Sequence, residues 1–211
     1  MRVPILATVT VFGAVIVIID FYFDFLSPFS YLANQRLASL SQEYSLSIRY
    51  HAIDLARAKI AIGNVGPSNR DLKVKMEYLK VDLQRWAKLY GIPFVFPANY
   101  NSRKMNIGVY HPSDVSETAA YVNIVFNAIW GKGMAPDSES LVALVSEKLA
   151  WDRIAFEKFL SSEVAEKKYD EQTEAAIERK VFGVPTIFLG EEMWWGNDRL
   201  FMLENALAQR L

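Results

Sequence analysis

The sequence predicts an α/β fold: a small sheet built from both ends of the chain, interrupted by a large all-helical insertion. Three observations carry this prediction. A strand–helix–strand pattern fills the first quarter, helical periodicity fills the middle, and two short strands with a terminal helix close the chain. With 211 residues, 52% of them hydrophobic and 13% aromatic, the chain can bury a substantial core.

The first strand is expected over roughly Ile16–Phe25. Its run of apolar and β-forming residues is too continuous for an exposed edge, so it belongs at the centre of the sheet. Ser27 and Pro28 then open a helix. Serine is a preferred N-cap, and proline suits N1 because the missing N–H has no helical partner there anyway. This helix runs through Tyr31, Leu32, Leu37 and Leu40 and ends near Tyr44. Leu46–Ile53 alternates cleanly and reads as a second strand, completing a βαβ unit with a right-handed crossover.

From about Leu55 to Lys180 the pattern is helical, with loops at 63–69, 91–97 and 99–113. Val115, Ala119, Val122, Phe126 and Ile129 form one stripe of a long helix, for which Asp114 and Glu117 look like a capping box. Leu141, Leu144, Val145 and Leu149 mark another helix, and Ile154, Phe156, Phe159 and Leu160 a shorter one. Val184-Pro185 leads into a strand at Thr186–Gly190. Glu191-Glu192 turns the chain into Met193-Trp194-Trp195, and Asn197 or Asp198 caps a final helix with Leu200, Leu203, Leu207 and Leu211. A βαβ unit and a ββα unit around a helical insertion, with Val-Pro-Thr entering the third strand, is the order of a thioredoxin-like fold. The division expected is an apolar N-terminal extension (1–16), a thioredoxin-like domain (17–54 and 178–211) and a helical insertion (55–177).

Composition excludes several functions. A net charge of −1 without a basic stripe argues against nucleic acid as a partner. The absence of cysteine excludes a disulfide framework, a thiolate metal site and redox chemistry by the protein's own sulfur. Two isolated histidines, His51 and His111, argue against a histidine metal cluster, so no metal is predicted. Val3 to Ile19 carries no charge and has the length of a secretory signal or membrane anchor. Its last residues are needed for the first strand, however, and it has neither a cleavage site nor a cluster of positive charge. The reading is therefore an extension ahead of a cytoplasmic domain, with no membrane partner.

Two positions carry candidate chemistry. A proline at a strand entrance is usually trans, but in thioredoxin-like folds the matching proline is cis; that likeness implies a cis Val184-Pro185 bond, so that the Val184 N–H and C=O can pair with a bound peptide. Ser27 has a plain reading as an N-cap that contributes about 1 kcal/mol. Its other reading follows from its place at the mouth of a helix, where N–H groups and the dipole favour negative charge. No Gly-x-Ser-x-Gly elbow surrounds it, and neither histidine has an evident place as its base. In thioredoxin-like proteins the catalytic sulfur sits at this junction. With serine there and no cysteine anywhere, a sulfur would have to come from a bound thiol. Asp20 and Asp24, roughly 13 Å apart on one face of a strand, are too distant for one metal and read as structural.

Three segments give a resemblance: Asp20-Phe21-Tyr22-Phe23-Asp24-Phe25-Leu26-Ser27-Pro28-Phe29-Ser30-Tyr31, Gly63-Asn64-Val65-Gly66-Pro67-Ser68-Asn69-Arg70, and Phe182-Gly183-Val184-Pro185-Thr186 followed by Trp194-Trp195-Gly196-Asn197-Asp198-Arg199. Together they resemble the 2-hydroxychromene-2-carboxylate isomerases of bacterial naphthalene catabolism, relatives of the kappa-class glutathione transferases and of DsbA-like proteins. The likeness runs from about Val17 to the C-terminus, and only residues 1–16 depart from it. It implies glutathione as cofactor and a homodimer. It also implies Ser27 as the catalytic residue, donating to the glutathione thiolate. Val184, Trp195, Gly196, Asn197 and Asp198 would bind glutathione, and Lys59, Asn69, Arg70 and Tyr100 the small aromatic carboxylate substrate. Two other functions stay open: a kappa-class-like glutathione transferase or peroxidase, and a non-catalytic thioredoxin-like binding module.

Overall fold

Strand β2 (Ala14–Phe23) organises the molecule, a computed structural model that describes residues 8–11, 14–66, 71–112 and 114–210. Helix α1 (Pro28–Glu43) follows it, and β3 (Ser47–Ala52) returns parallel to it, pairing Phe21 with Tyr50 and Phe23 with Ala52. On its other side β4 (Thr186–Leu189) pairs antiparallel, with Phe21 opposite Ile187, and β5 (Glu192–Trp195) pairs antiparallel with β4. This order, β3-β2-β4-β5, puts β2 at the centre, as its continuous apolar run predicts.

Both faces of β2 are covered. Val17, Ile19, Phe21 and Phe23 point into the main core, and Tyr22 into a smaller cluster with Ile53, Ala58, Ala176, Val181 and Phe188. Between β3 and β4 the described elements are helices. They are α2 (Leu55–Ala61), α3 (Lys73–Tyr90), α4 (Arg103–Gly108), α5 (Val115–Phe126), α6 (Glu139–Leu149), α7 (Arg153–Leu160) and α8 (Glu163–Glu178). Helix α5 widens at its end into a π-helical turn, Asn127–Gly131. A single buried cluster runs from the sheet into these helices. Phe126 lies 5.4 Å from Phe23 and 4.6 Å from Phe25 between ring centroids, and Trp130 Nε1 donates to the Phe25 carbonyl at 2.7 Å.

Several boundaries differ from the sequence reading. Strand β1 (Thr8–Val11) pairs antiparallel with the start of β2, Thr8 opposite Val17, so part of the apolar extension is sheet. Its Thr-Val-Thr-Val sequence is β-branched throughout and suits a strand. β2 accordingly starts at Ala14 and ends at Phe23. No helix among the described residues is long and apolar enough to cross a membrane. Helix α4 lies inside a stretch read as loop. It is six residues long, under two turns, and Met105, Asn106, Ile107 and Gly108 are all buried, so too few residues are left to show a polar–apolar period. Asp114 caps α5 by accepting from Glu117 N at 2.8 Å, while the Glu117 carboxylate accepts instead from Trp151 Nε1 at 2.7 Å. Neither Asn197 nor Asp198 caps the last helix. A 3-10 turn, Asn197–Arg199, runs into α9 (Leu200–Ala208).

Candidate active site

Ser27 caps α1 as its sequence predicts. Its backbone is extended (φ −92°, ψ 111°), and its Oγ accepts from Ser30 N at 3.1 Å. The hydroxyl proton has no acceptor among the described residues. No acidic side chain occupies the first turn of this 16-residue helix, so nothing there offsets the positive end of its dipole. Ser27 is 8% exposed. Leu26 and Phe29, on either side of it, line a cleft of about 1440 Å³.

The Val184–Pro185 bond on this cleft is cis, as expected. Two hydrogen bonds fix its loop: Thr186 Oγ1 donates to the Gly183 carbonyl at 2.7 Å, and Gly196 N to the Pro185 carbonyl at 2.9 Å. The N–H and C=O of Val184 make no hydrogen bond among the described residues. Gly183 lets the Trp195 indole lie on the backbone, since a Cβ there would stand 2.5 Å from Trp195 Nε1. Gly196 has a φ of 103°, which side chains rarely adopt, and a Cβ would meet the Asp198 carboxylate. Beyond it, the Asn197 Oδ1 accepts from Tyr90 Oη at 3.2 Å, while its buried Nδ2 has no partner among the described residues. The Asp198 carboxylate pairs with Arg199.

Val184, Trp195, Gly196, Asn197 and Asp198 all line this cleft, and Lys59 and Tyr100 line it too. Asn69 and Arg70 lie outside the described residues. Sequence reasoning missed Asp24, Trp86, Arg103 and Tyr169, which share the cleft. Arg103 pairs with Glu166 and, at 3.5 Å, with Asp54, and its guanidinium lies 5.1 Å from the Tyr169 ring centroid. Asp24 is buried just past the end of β2. Its Oδ1 accepts from Leu26 N at 2.9 Å, Ser102 Oγ at 2.7 Å and Asn106 Nδ2 at 3.0 Å. Burial pushes its carboxyl up, these bonds offset part of that, and the nearby Asp54 charge adds to the rise. The available signal was positional: a carboxyl three residues before Ser27, at the mouth of the central strand.

Neither histidine lines the cleft. His51 Nε2 is 3.0 Å from Asp20 Oδ1 and Nδ1 is 3.2 Å from the Gln172 Oε1. His111 sits among Trp151, Phe156 and Phe159, and this burial lowers its pKa. A serine–histidine hydrolase arrangement is therefore missing from the cleft, in keeping with the sequence reading.

A family model described as a DSBA-like thioredoxin domain matches residues 18–208. A 2-hydroxychromene-2-carboxylate isomerase of Pseudomonas putida is 77% identical over 192 residues, covering 91% of this chain and 95% of its own. A solved structure of a 2-hydroxychromene-2-carboxylate isomerase, 77% identical, superposes with a TM-score of 0.90 over 92% of this chain and 95% of that one. More distantly, glutathione S-transferase kappa 2 of Caenorhabditis elegans is 24% identical over 209 residues, covering 91% of this chain and 92% of its own. Identity at the first of these levels, across almost the full length of both chains, means that this chain belongs to the 2-hydroxychromene-2-carboxylate isomerase family and is an isomerase built on a DsbA-like thioredoxin domain.

Proposed function

We propose that the chain interconverts 2-hydroxychromene-2-carboxylate and trans-o-hydroxybenzylidenepyruvate, with glutathione as a recycled cofactor, in the cytoplasmic breakdown of naphthalene and related aromatics. The chemical problem is geometric. Opening the cyclic hemiketal leaves a cis enone, whose double bond does not rotate freely. Glutathione, when bound, supplies a thiolate able to add reversibly to the enone, so that the former double bond can rotate before it re-forms trans.

The observation that carries the glutathione reading is a set of unused hydrogen-bonding groups in and beside one cleft of a chain without cysteine. They are the Ser27 O–H, the Val184 N–H and C=O, and the buried Asn197 Nδ2. A γ-linked tripeptide thiol needs an anchor for its sulfur, its peptide backbone and its γ-glutamyl end, and these groups suit each in turn. Ser27 would donate to the sulfur beside the positive end of α1, which favours the thiolate. Val184 would pair with the backbone, and Trp195, Gly196, Asn197 and Asp198 would hold the γ-glutamyl end. Lys59 would meet the substrate carboxylate and stabilise enolate charge, Tyr100 would cover its ring, and Asn69 and Arg70 would complete that pocket. The kinship with a kappa-class transferase supports the same cofactor.

The reaction is followed by ultraviolet absorbance with and without glutathione. Turnover should rise to saturation with glutathione while its total concentration stays constant; undiminished turnover without any thiol overturns the scheme. Stoichiometric loss of glutathione would instead mark a kappa-like transferase or peroxidase. An unchanged spectrum would mark a binding module. Ser27→Ala should lose on the order of 10²-fold in kcat, the scale of one donor to developing charge, and a full rate would remove Ser27 from the mechanism. A homodimer is part of the proposal. Val74, Tyr78, Val81 and Leu89 of α3 are exposed apolar side chains that a second copy would cover, and light scattering at the mass of one chain would refute it.

A further inference from the structure

Opening the hemiketal also moves a proton. It leaves the 2-hydroxyl as the C2 carbonyl forms, and a proton ends on the phenolic oxygen as the bond from C2 to the ring oxygen breaks. None of the groups assigned above carries it. Lys59 and Arg70 serve the carboxylate, Ser27 the sulfur, and both histidines stand away from the cleft.

We propose that Asp24 is the catalytic residue that relays this proton, through the carboxyl oxygen left open when the other is held by Leu26, Ser102 and Asn106. The inference rests on the reaction proposed above. Asp24 lines the cleft together with Lys59, Tyr100 and Val184. Its main-chain carbonyl accepts from Ser27 N at 2.9 Å, so carboxyl and serine belong to one turn. Three donors converge on Oδ1 and fix the group, whereas Oδ2 makes no hydrogen bond among the described residues. All three donors are neutral. Among the described residues, Asp54 at the start of α2 and Tyr169 on α8 act on it electrostatically, and Arg103 on α4 and Lys59 on α2 line the same cleft. Arg103 is engaged by Glu166 and Asp54, and Asp54 adds to the rise that burial gives the Asp24 pKa.

The step balances without a co-reactant. The neutral carboxyl donates to the ring oxygen as its bond to C2 breaks, and the electron pair of that bond stays on the oxygen. The carboxylate so formed takes the 2-hydroxyl proton as the C2 carbonyl forms. Ring closure runs the same transfers in reverse, and no proton is gained or lost overall.

Asp24→Asn tests this, because the amide keeps the shape and an oxygen for the three donors but cannot relay a proton. The kcat is expected to fall about 10²-fold or more, the usual range for a lost general acid, with glutathione affinity by calorimetry unchanged within about twofold. Wild-type kcat should decline as pH rises through the carboxyl's elevated pKa, and the variant should lose this limb. Asp24→Glu should recover part of the rate. A variant kcat within threefold of wild type overturns the proposal, as does a wild-type kcat that does not decline as pH rises. The wild-type profile needs no variant, so the proposal stays testable if Asp24→Asn fails to fold. Glutathione-independent turnover in the wild type would sink the cofactor reading alone, leaving the Asp24 result to be judged on its own.

Discussion

Two aspartates, one in the central strand and one just past its end, shift in opposite directions. Asp20 and Asp24 lie four residues apart, and both side chains are almost hidden from solvent. Burial alone would push Asp20 up. Bonds from His51 at 3.0 Å, Arg49 at 2.7 and 2.9 Å, and Arg179 at 2.9 Å outweigh it and hold the carboxyl well below the usual range. Asp24 is the more deeply desolvated of the two and has neutral donors only, and its pKa rises. The opposite signs therefore follow from depth together with whether the partners carry charge. Within β2 a carboxylate binds Arg49 and His51 of β3 and Arg179 just past α8; just beyond the end of β2, a carboxyl with a raised pKa faces the cleft. Environments that push equivalent groups apart are how one fold separates structural from chemical roles.

The comparison breaks most easily at Asp20. Asp20→Ala leaves Arg49, Arg179 and His51 around an empty place. Arg49 is 49% exposed and regains water, so the expected loss is about 3 kcal/mol, the low end for breaking a buried pair. Urea unfolding measures it, and activity per folded molecule should persist; a loss under about 1 kcal/mol would mean that the charge network is ornamental. Ser27→Ala should cost about 1 kcal/mol through the lost cap, far less than its effect on turnover. If the stability loss accounts for the lost activity, Ser27 is only a cap. Asp24→Asn should leave stability at pH 7 within about 1 kcal/mol of wild type or slightly above it, since it removes a carboxyl whose ionisation is costly when buried. A large loss there would place Asp24 with Asp20 as a structural group.

Much of the fold was legible in the sequence, whereas the contrast between the two aspartates was not, for a physical reason. Local chemistry announced the Ser27–Pro28 cap and the central strand, because each depends on residues adjacent in the chain, whereas the cis Val184–Pro185 bond was read from the likeness to thioredoxin-like folds. The partners of the two aspartates come from far away. Arg179 reaches Asp20 across 159 positions, and Asn106 reaches Asp24 across 82. Both carboxyls therefore looked alike on the strand, and Asp24 was read as structural. Ser102 is the N-cap of α4 and Asn106 lies within it, a six-residue helix too short to show its period in the sequence. β1 was hidden for a simpler reason. An uncharged β-branched run next to another one has the composition of a signal segment as well as of a hairpin.

The sharpest test of the comparison is the pH dependence of stability, because the contributions of the two aspartates should slope in opposite directions. A folded pKa below the ordinary 3.8 means that the unfolded chain binds more protons at Asp20. Its contribution is then fully present above 3.8 and is lost as pH falls toward the folded value. At Asp24 the folded state binds more protons. Its contribution is most favourable below 3.8 and is lost as pH rises through the elevated folded value. The stability difference between wild type and Asp20→Asn should therefore shrink on acidification below about pH 5. For Asp24→Asn the balance should move in the variant's favour as pH rises above 3.8. Neither slope should exceed about 1.4 kcal/mol per pH unit, the limit for one proton. Urea midpoints from pH 3.5 to 8 on the three proteins decide it. Slopes of the same sign would mean that Asp24 is ionised in the folded protein, and a carboxylate at that position has no proton to give the ring oxygen.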